Sequence, residues 1–397
     1  MKSSSRILVT RADRIGDLVL STPIFKALRE KFPESWIAGL SFCETREILE
    51  GNPCLNEVIL YDKKGSEKGF LGNLRFARKL AAKKFDLVIH LHATNRMHWV
   101  TWLAGIPVRI GYDRKCAWAL TEAHPDLKSE GKKHEAEYNF DLLKNLRIEI
   151  PENIELFFPL KDKAHQSLNE LLNHLEIPQH RPWVIFNPSA SCPSKIWPAE
   201  RFGYLADEIA KKQEVIFIAI GSREDRKFVQ KAKRAAASPI FDLSGRLSLG
   251  MLGVLLSRAS LLISNDSGPV HIANAVGTPA ISIFGRNQPG LSPARWGPLG
   301  KDSRVVWKDV GCVECLAHNC QIGFLCLDAI SVEEVLREVD HYADALRVLP
   351  QGYSVWAPPP GVDPPISPPQ GASDPLRCVA ENTPASSASA FKNQRGQ

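Results

Sequence analysis

Ser264-Asn265-Asp266-Ser267-Gly268-Pro269-Val270-His271 lies between two apolar runs, Leu261-Leu262-Ile263 and Ile272-Ala273-Asn274-Ala275-Val276. The first run reads as a buried strand and the second as a short helix. A carboxylate, a hydroxyl, a glycine and a histidine therefore gather where a strand hands over to a helix. In open α/β sheets ligands bind at that handover, and the N–H groups of a helix start attract phosphate. The spacing predicts backbone N–H groups of Ser267 and Gly268 on a diphosphate, with Asp266 on neutral hydroxyls. A helix cap worth ~1 kcal/mol accounts for the same residues without any ligand.

Two series of alternating strand and helix signals organise the rest, each predicting a parallel sheet with crossover helices. The first series has strands at 6–10, 36–41, 57–61, 86–91 and 107–110, with helices near 17–31, 45–51, 70–84 and 96–104. The second has strands at 183–187, 214–220, 240–243, 261–264 and 280–284, with helices near 198–212, 222–236, 248–258 and 269–276. Pro23 is expected to break the first helix. Residues 161–182 contain a helical stretch, end in Pro178 and Pro182, and read as an interdomain linker. A closing helix is expected over 331–348, opened by a Ser331/Glu334 capping box. The domains are then 1–160 and 183–349. Ten prolines from Pro350 to the end, with few aliphatics, mark 350–397 as a disordered tail.

With 397 residues the chain is long enough for two ordinary domains. Fifty basic residues against 44 acidic give a net charge of +6. That surplus is too small to point to nucleic acid, and it suits an anionic substrate or a lipid surface. No apolar signal segment opens the sequence, and no run approaches the ~20 residues that span a bilayer, so a cytoplasmic protein is expected. Nine cysteines there are expected as thiols or metal ligands, not as a disulfide framework. Of these, Cys312, Cys315, Cys320 and Cys326 make one sound zinc half-site and one poor one, and free thiols are the expectation.

Three further segments carry polar groups at strand ends. Arg11-Ala12-Asp13-Arg14-Ile15-Gly16-Asp17 follows the first strand and presents the Asp17 carboxylate at a helix start. Ser189-Ala190-Ser191-Cys192-Pro193-Ser194-Lys195-Ile196-Trp197-Pro198 sets hydroxyls and a lysine before a helix, a pattern suited to phosphate. His90 and His92 are expected on one strand face as structural histidines. Arg14, Arg96 and Arg114 are candidates to meet an anionic acceptor. Neither a Walker A pattern nor a Gly-x-Gly-x-x-Gly fingerprint is present, nor an Asp-x-Asp pair suited to a Mg²⁺-dependent sugar transferase.

Taken together, Arg11-x5-Asp17-x5-Pro23, the Ser/Lys195-x-Trp197-Pro198 loop and Asn265-Asp266-Ser267-Gly268-Pro269-x-His271 resemble the family 9 glycosyltransferases, the lipopolysaccharide heptosyltransferases. The resemblance covers roughly residues 6–348. It implies an α/β GT-B architecture, two Rossmann-like domains facing each other across a cleft. It also implies inverting, metal-independent transfer of heptose from ADP-heptose to a lipopolysaccharide inner-core acceptor. No cofactor or nucleic acid is implied, and peripheral contact with the inner face of the inner membrane is. Asp17 matches the catalytic base, and Ser191, Lys195, Asp266, Ser267, Gly268 and His271 match the donor-binding residues. An acidic group near the nucleoside falls at Glu224 or Asp225, with Glu224 preferred. Two other readings stay open: a transferase for another nucleotide sugar, and a non-catalytic nucleotide-sugar scaffold.

Overall fold

The computed structural model describes residues 5–350, so the proline-rich stretch read as a disordered tail lies outside the described residues apart from Pro350. The first series of apolar runs forms β1 (Arg6–Thr10), β2 (Trp36–Phe42), β3 (Glu57–Tyr61), β4 (Leu87–His90), β5 (Val108–Tyr112) and β6 (Glu122–His124). The second forms β7 (Trp183–Asn187), β8 (Ile216–Ala219), β9 (Ile240–Asp242), β10 (Leu261–Asn265), β11 (Ala280–Phe284) and β12 (Arg304–Trp307). The strand orders are β3-β2-β1-β4-β5-β6 and β12-β11-β10-β7-β8-β9. All pairings are parallel. Counted within its own half, the second sheet repeats the order of the first. Winding reverses between β1 and β4 in one sheet and between β7 and β10 in the other. Those are the positions where an open α/β sheet leaves a crevice at its carboxyl edge.

In the front half the helices are α1 (Ile15–Val19), α2 (Thr22–Lys31), α3 (Gly69–Ala82), α4 (Asn95–Leu103) and α5 (Glu135–Asp141). The connection then holds α6 (Asp162–His174). Around the back sheet stand α7 (Ala199–Ala210), α8 (Arg226–Ala235), α9 (Leu249–Ser257) and α10 (Gly268–Ala275). Two single turns, α11 (Pro293–Trp296) and α12 (Leu325–Asp328), precede the closing α13 (Val332–Asp340).

Several elements differ from expectation for local reasons. The helix expected over 17–31 is two helices, and Pro23 sits in the first turn of α2, where its missing N–H costs nothing. The expected 45–51 helix is a 3₁₀ turn, Cys43–Ile48. Closing helix α13 keeps its Ser331/Glu334 box but stops at Asp340, short of the expected 348. β4 ends at His90, so His92 stands beyond the strand and does not share its face.

Alternation decides the packing. Ile7 and Val9 join a buried cluster that continues into Ile185, Leu255 and Ile272 of the back half. Leu8, one residue out of phase, joins a separate layer with Phe76 and Val88. One apolar core thus runs through both halves, with an outer layer on each.

Candidate active site

Arg11 leaves the end of β1 fully buried, and its guanidinium organises the front crevice. Nη2 lies 2.5 Å from Asp17 Oδ1 and 3.1 Å from Glu135 Oε1, while Nη1 donates to the Leu91 carbonyl and to Asn139 Oδ1. Asp13 is 3.7 Å from the same Nη2, and its carboxylate is paired to His92 Nδ1 at 2.5 Å. Asp17, in the first turn of α1, is largely buried. Burial pushes its carboxyl above the ordinary range, helped by the charges of Asp13 and Glu135, while Arg11 pulls the other way. A raised carboxylate is the stronger base.

The back crevice is built on the ends of β7, β10 and β11. Asp266, just after β10, receives Lys195 Nζ at 2.9 Å and Arg286 Nη2 at 2.8 Å, both on Oδ2. Lys195 comes from the loop after β7, and Arg286 from the loop after β11, where it is buried. The Ser267 hydroxyl is committed inside the fold, accepting from Asn187 Nδ2 at 2.7 Å and donating to the Asn265 carbonyl at 3.0 Å. That leaves the backbone of Ser267 and Gly268, at the start of α10, as the part suited to a diphosphate. His271 is buried on the same helix, and burial brings it down to about 3, so it stays neutral.

The two crevices meet through two glycines. A Cβ on Gly16 would stand 2.8 Å from the His271 ring and 3.3 Å from Gly268 Cα. A Cβ on Gly268 would stand 3.1 Å from Ile15 Cγ2. Hydrogen in place of a side chain at both positions lets α1 lie against α10, one residue from Asp17 and two from Asp266.

A buried ion cluster crosses the same boundary. Glu135, in α5, takes Arg11 and Lys128 on Oε1, the latter at 2.7 Å. On Oε2 it takes the Arg295 guanidinium of the back half, through Nη2 at 2.7 Å and Nε at 2.9 Å. Burial opposes the Glu135 charge, yet Lys128, Arg11 and Arg295 hold its carboxyl down at about 2. Nearby, His134 Nε2 lies 2.9 Å from the Gly297 carbonyl, a second tie between the halves.

The remaining candidates are scattered more widely. Ser191 is exposed in its loop, and the hydroxyl beside Lys195 that the fold engages is that of buried Ser194, 3.2 Å from His318 Nδ1. The neighbouring cations Arg286, Lys195 and Arg14 reinforce burial in lowering His318, which puts Arg14 within electrostatic reach of the back crevice. Asp225 is tied to its own turn by the Ser222 N–H and hydroxyl, whereas Glu224 is exposed at the carboxyl end of β8. Arg96 donates to the Tyr61 hydroxyl at 3.2 Å, and Arg114 pairs with Asp126. His90 is fully buried, its ring nitrogens on Thr10 and Thr101, a structural role as expected. The four cysteines of the 312–326 loop line a cavity of about 500 Å³. Among the described residues no three His, Cys, Asp or Glu side chains are arranged to hold a metal ion.

Sequence reasoning missed Arg11 as the organiser, together with Glu135, Arg295 and Arg286. Arg286 carried a legible signal, since it follows the apolar run of β11 at the same sheet edge.

Comparison with known proteins gives the family and matches the fold. The family model of glycosyltransferase family 9 (heptosyltransferase) matches residues 73–325. Lipopolysaccharide heptosyltransferase 3 of Escherichia coli is 27% identical over 279 residues, covering 68% of this chain and 80% of that protein. A family 9 glycosyl transferase from Veillonella parvula superposes with a TM-score of 0.74 at 25% identity, covering 85% of this chain and 97% of that one. The ADP-heptose lipopolysaccharide heptosyltransferase II of E. coli superposes at 0.70 with 21% identity, over 85% and 98% of the two chains. Two like-ordered parallel sheets with facing crevices are the GT-B arrangement. With that fold, and with the family pattern running through most of its length, this chain belongs to glycosyltransferase family 9, the heptosyltransferase family, and is a transferase enzyme.

Proposed function

We propose that the protein moves heptose from ADP-heptose to a glycolipid acceptor of the lipopolysaccharide inner core, with inversion and without a metal. The observation that carries this reading is the contact of Gly16 with Gly268 and His271, which sets the helix that carries Asp17 against the helix that follows Asp266. Relatives named for heptose transfer support the choice of sugar. In the proposed step an acceptor hydroxyl attacks the anomeric carbon as its bond to the diphosphate oxygen breaks. ADP leaves with the electron pair, and Asp17 takes the hydroxyl proton. Lys195, Arg286 and the N–H groups at the start of α10 meet the charge that grows on the diphosphate. Asp266 fixes sugar hydroxyls and Glu224 takes the nucleoside end, with Ser191 beside the phosphates. Arg14 and Arg96 serve the acceptor. The domains 1–160 and 183–349 close about 161–182, bringing reacting groups into line.

Asp17→Asn tests the scheme. Transfer from ADP-heptose to truncated core acceptors, read by mass spectrometry, falls by ~10²–10⁴, the usual worth of a general base, while ADP affinity holds within a few fold. Full activity in that variant removes the base assignment. Excess EDTA leaves the rate unchanged, and a loss that Mg²⁺ restores contradicts the metal-free step. A wild-type chain that binds ADP-heptose but never releases ADP with any acceptor is a scaffold.

A further inference from the structure

We propose that the front half docks on an anionic lipid bilayer through a strip of exposed aromatic side chains rimmed by lysine and arginine. Two ring pairs make up the strip, with Trp99 half-buried beneath it. Phe70 at the start of α3 lies 5.3 Å from the Trp99 ring on α4, and Trp102 lies 5.3 Å from Trp118 in the loop after β5. Trp99 and Trp102 are three residues apart and share one face of α4, whose other face is buried through Met97 and Val100. Phe70 is 67% exposed, Leu71 71%, Trp102 44% and Trp118 64%. Large side chains left in water on adjoining elements form a patch that calls for a partner.

The charge around the strip says which partner. Residues 63–118 hold twelve Lys and Arg against three Asp and Glu, a surplus of nine where the whole chain has six. Lys68 caps the helix that carries Phe70, and the Arg75 guanidinium bends back to the Ser66 carbonyl beside it. At the other end Arg114 and Lys115 precede Trp118, in a loop pinned to α4 by the Cys116 N–H on Asn95 Oδ1. Lys64 and Arg114 also reach Glu44 and Asp126. Protein interfaces are depleted in lysine. A bilayer surface wants this combination: indole rings sit at the headgroup boundary and cations meet lipid phosphate. α4 then runs from the strip back to Arg96 in its first turn, just past the carboxyl end of β4, so docking would bring a lipid-borne acceptor to the carboxyl edge of the front sheet. That purpose depends on the transferase reading; the docking itself does not.

Flotation of the full chain with vesicles tests it. The chain is expected to float with vesicles of equal parts phosphatidylcholine and phosphatidylglycerol, to stay behind with phosphatidylcholine alone, and to release in high salt. Lys68→Gln and Lys115→Gln should each weaken binding about fivefold. Phe70→Ser with Trp118→Ser should abolish flotation while leaving the melting temperature and transfer to a lipid-free core oligosaccharide unchanged. Flotation that is absent, indifferent to phosphatidylglycerol, or unaltered by the double variant overturns the proposal. So does a concentration-dependent oligomer that the double variant dissolves, since the strip then covers protein. Wild-type chain that floats but transfers no heptose refutes the transferase reading alone.

Discussion

Arg11 holds two carboxylates on one nitrogen, Asp17 and Glu135, and Glu135 in turn is held by Arg295 from the opposite half. The proton affinity of Asp17 therefore depends on residues outside its own helix. Replacing Arg295 by Gln removes the cation paired with Glu135, so the Asp17 carboxylate is expected to become harder to form and, under the proposed mechanism, the acid limb of the rate profile to move up. Replacing Glu135 by Gln removes an anion and moves the limb down. Carboxyl carbon NMR of aspartate-labelled protein, assigned with Asp17→Asn, reads both shifts without any substrate. Shifts of the same sign in the two variants contradict the coupling. Under the proposed mechanism, wild-type activity is expected to fall with acid at a pH above the ordinary aspartate range, because burial raises the carboxyl assigned as base.

At the scale of elements, the contact of α1 with α10 is fixed by the absence of side chains. Gly16→Val places atoms where the His271 ring stands. The two helices must then shift apart, and kcat/KM is expected to fall on the order of 10²-fold, with ADP affinity, which the proposed scheme assigns to the back half, nearly kept. Ser331→Ala removes the hydroxyl that accepts the Glu334 N–H and should cost ~1 kcal/mol in urea unfolding without touching activity. These elements were legible because apolar residues repeat at helical or strand spacing. α5 was not. Its buried face holds Glu135 and Asn139 beside Tyr138, and a helix that buries ions shows no apolar stripe. β6 spans three residues, and β12 buries only Val306, so neither edge strand presents the alternation that marks a strand. Ser267 and Ser191 were readable as positions but not as contacts. Which hydroxyl the fold consumes depends on neighbours such as Asn187, far away in the chain.

Over the whole molecule, acid should loosen what Glu135 joins. Its carboxyl sits at about 2 in the folded protein against 4.5 ordinarily. Its contribution is full above pH ~4.5 and is lost as pH falls toward 2, about 3 kcal/mol by linkage. Small-angle scattering should show expansion across that window in wild type and a weaker pH dependence in Glu135→Gln. The α/β class and the two parallel sheets, short of edge strands β6 and β12, followed from the two series of runs, and the GT-B arrangement from the family resemblance, whereas the cross-boundary charges did not follow, since pairing between residues 160 positions apart leaves no local pattern. A last consequence concerns inhibition. In the proposed arrangement each sheet supplies one crevice and the two open on a common gap, so a single tethered compound with a nucleotide mimic at one end and a sugar acceptor at the other is expected to occupy both. Once the first end is seated, the second meets its pocket at an effective concentration in the ~mM range. Such a two-headed molecule should outbind either of its parts by far more than their separate affinities suggest.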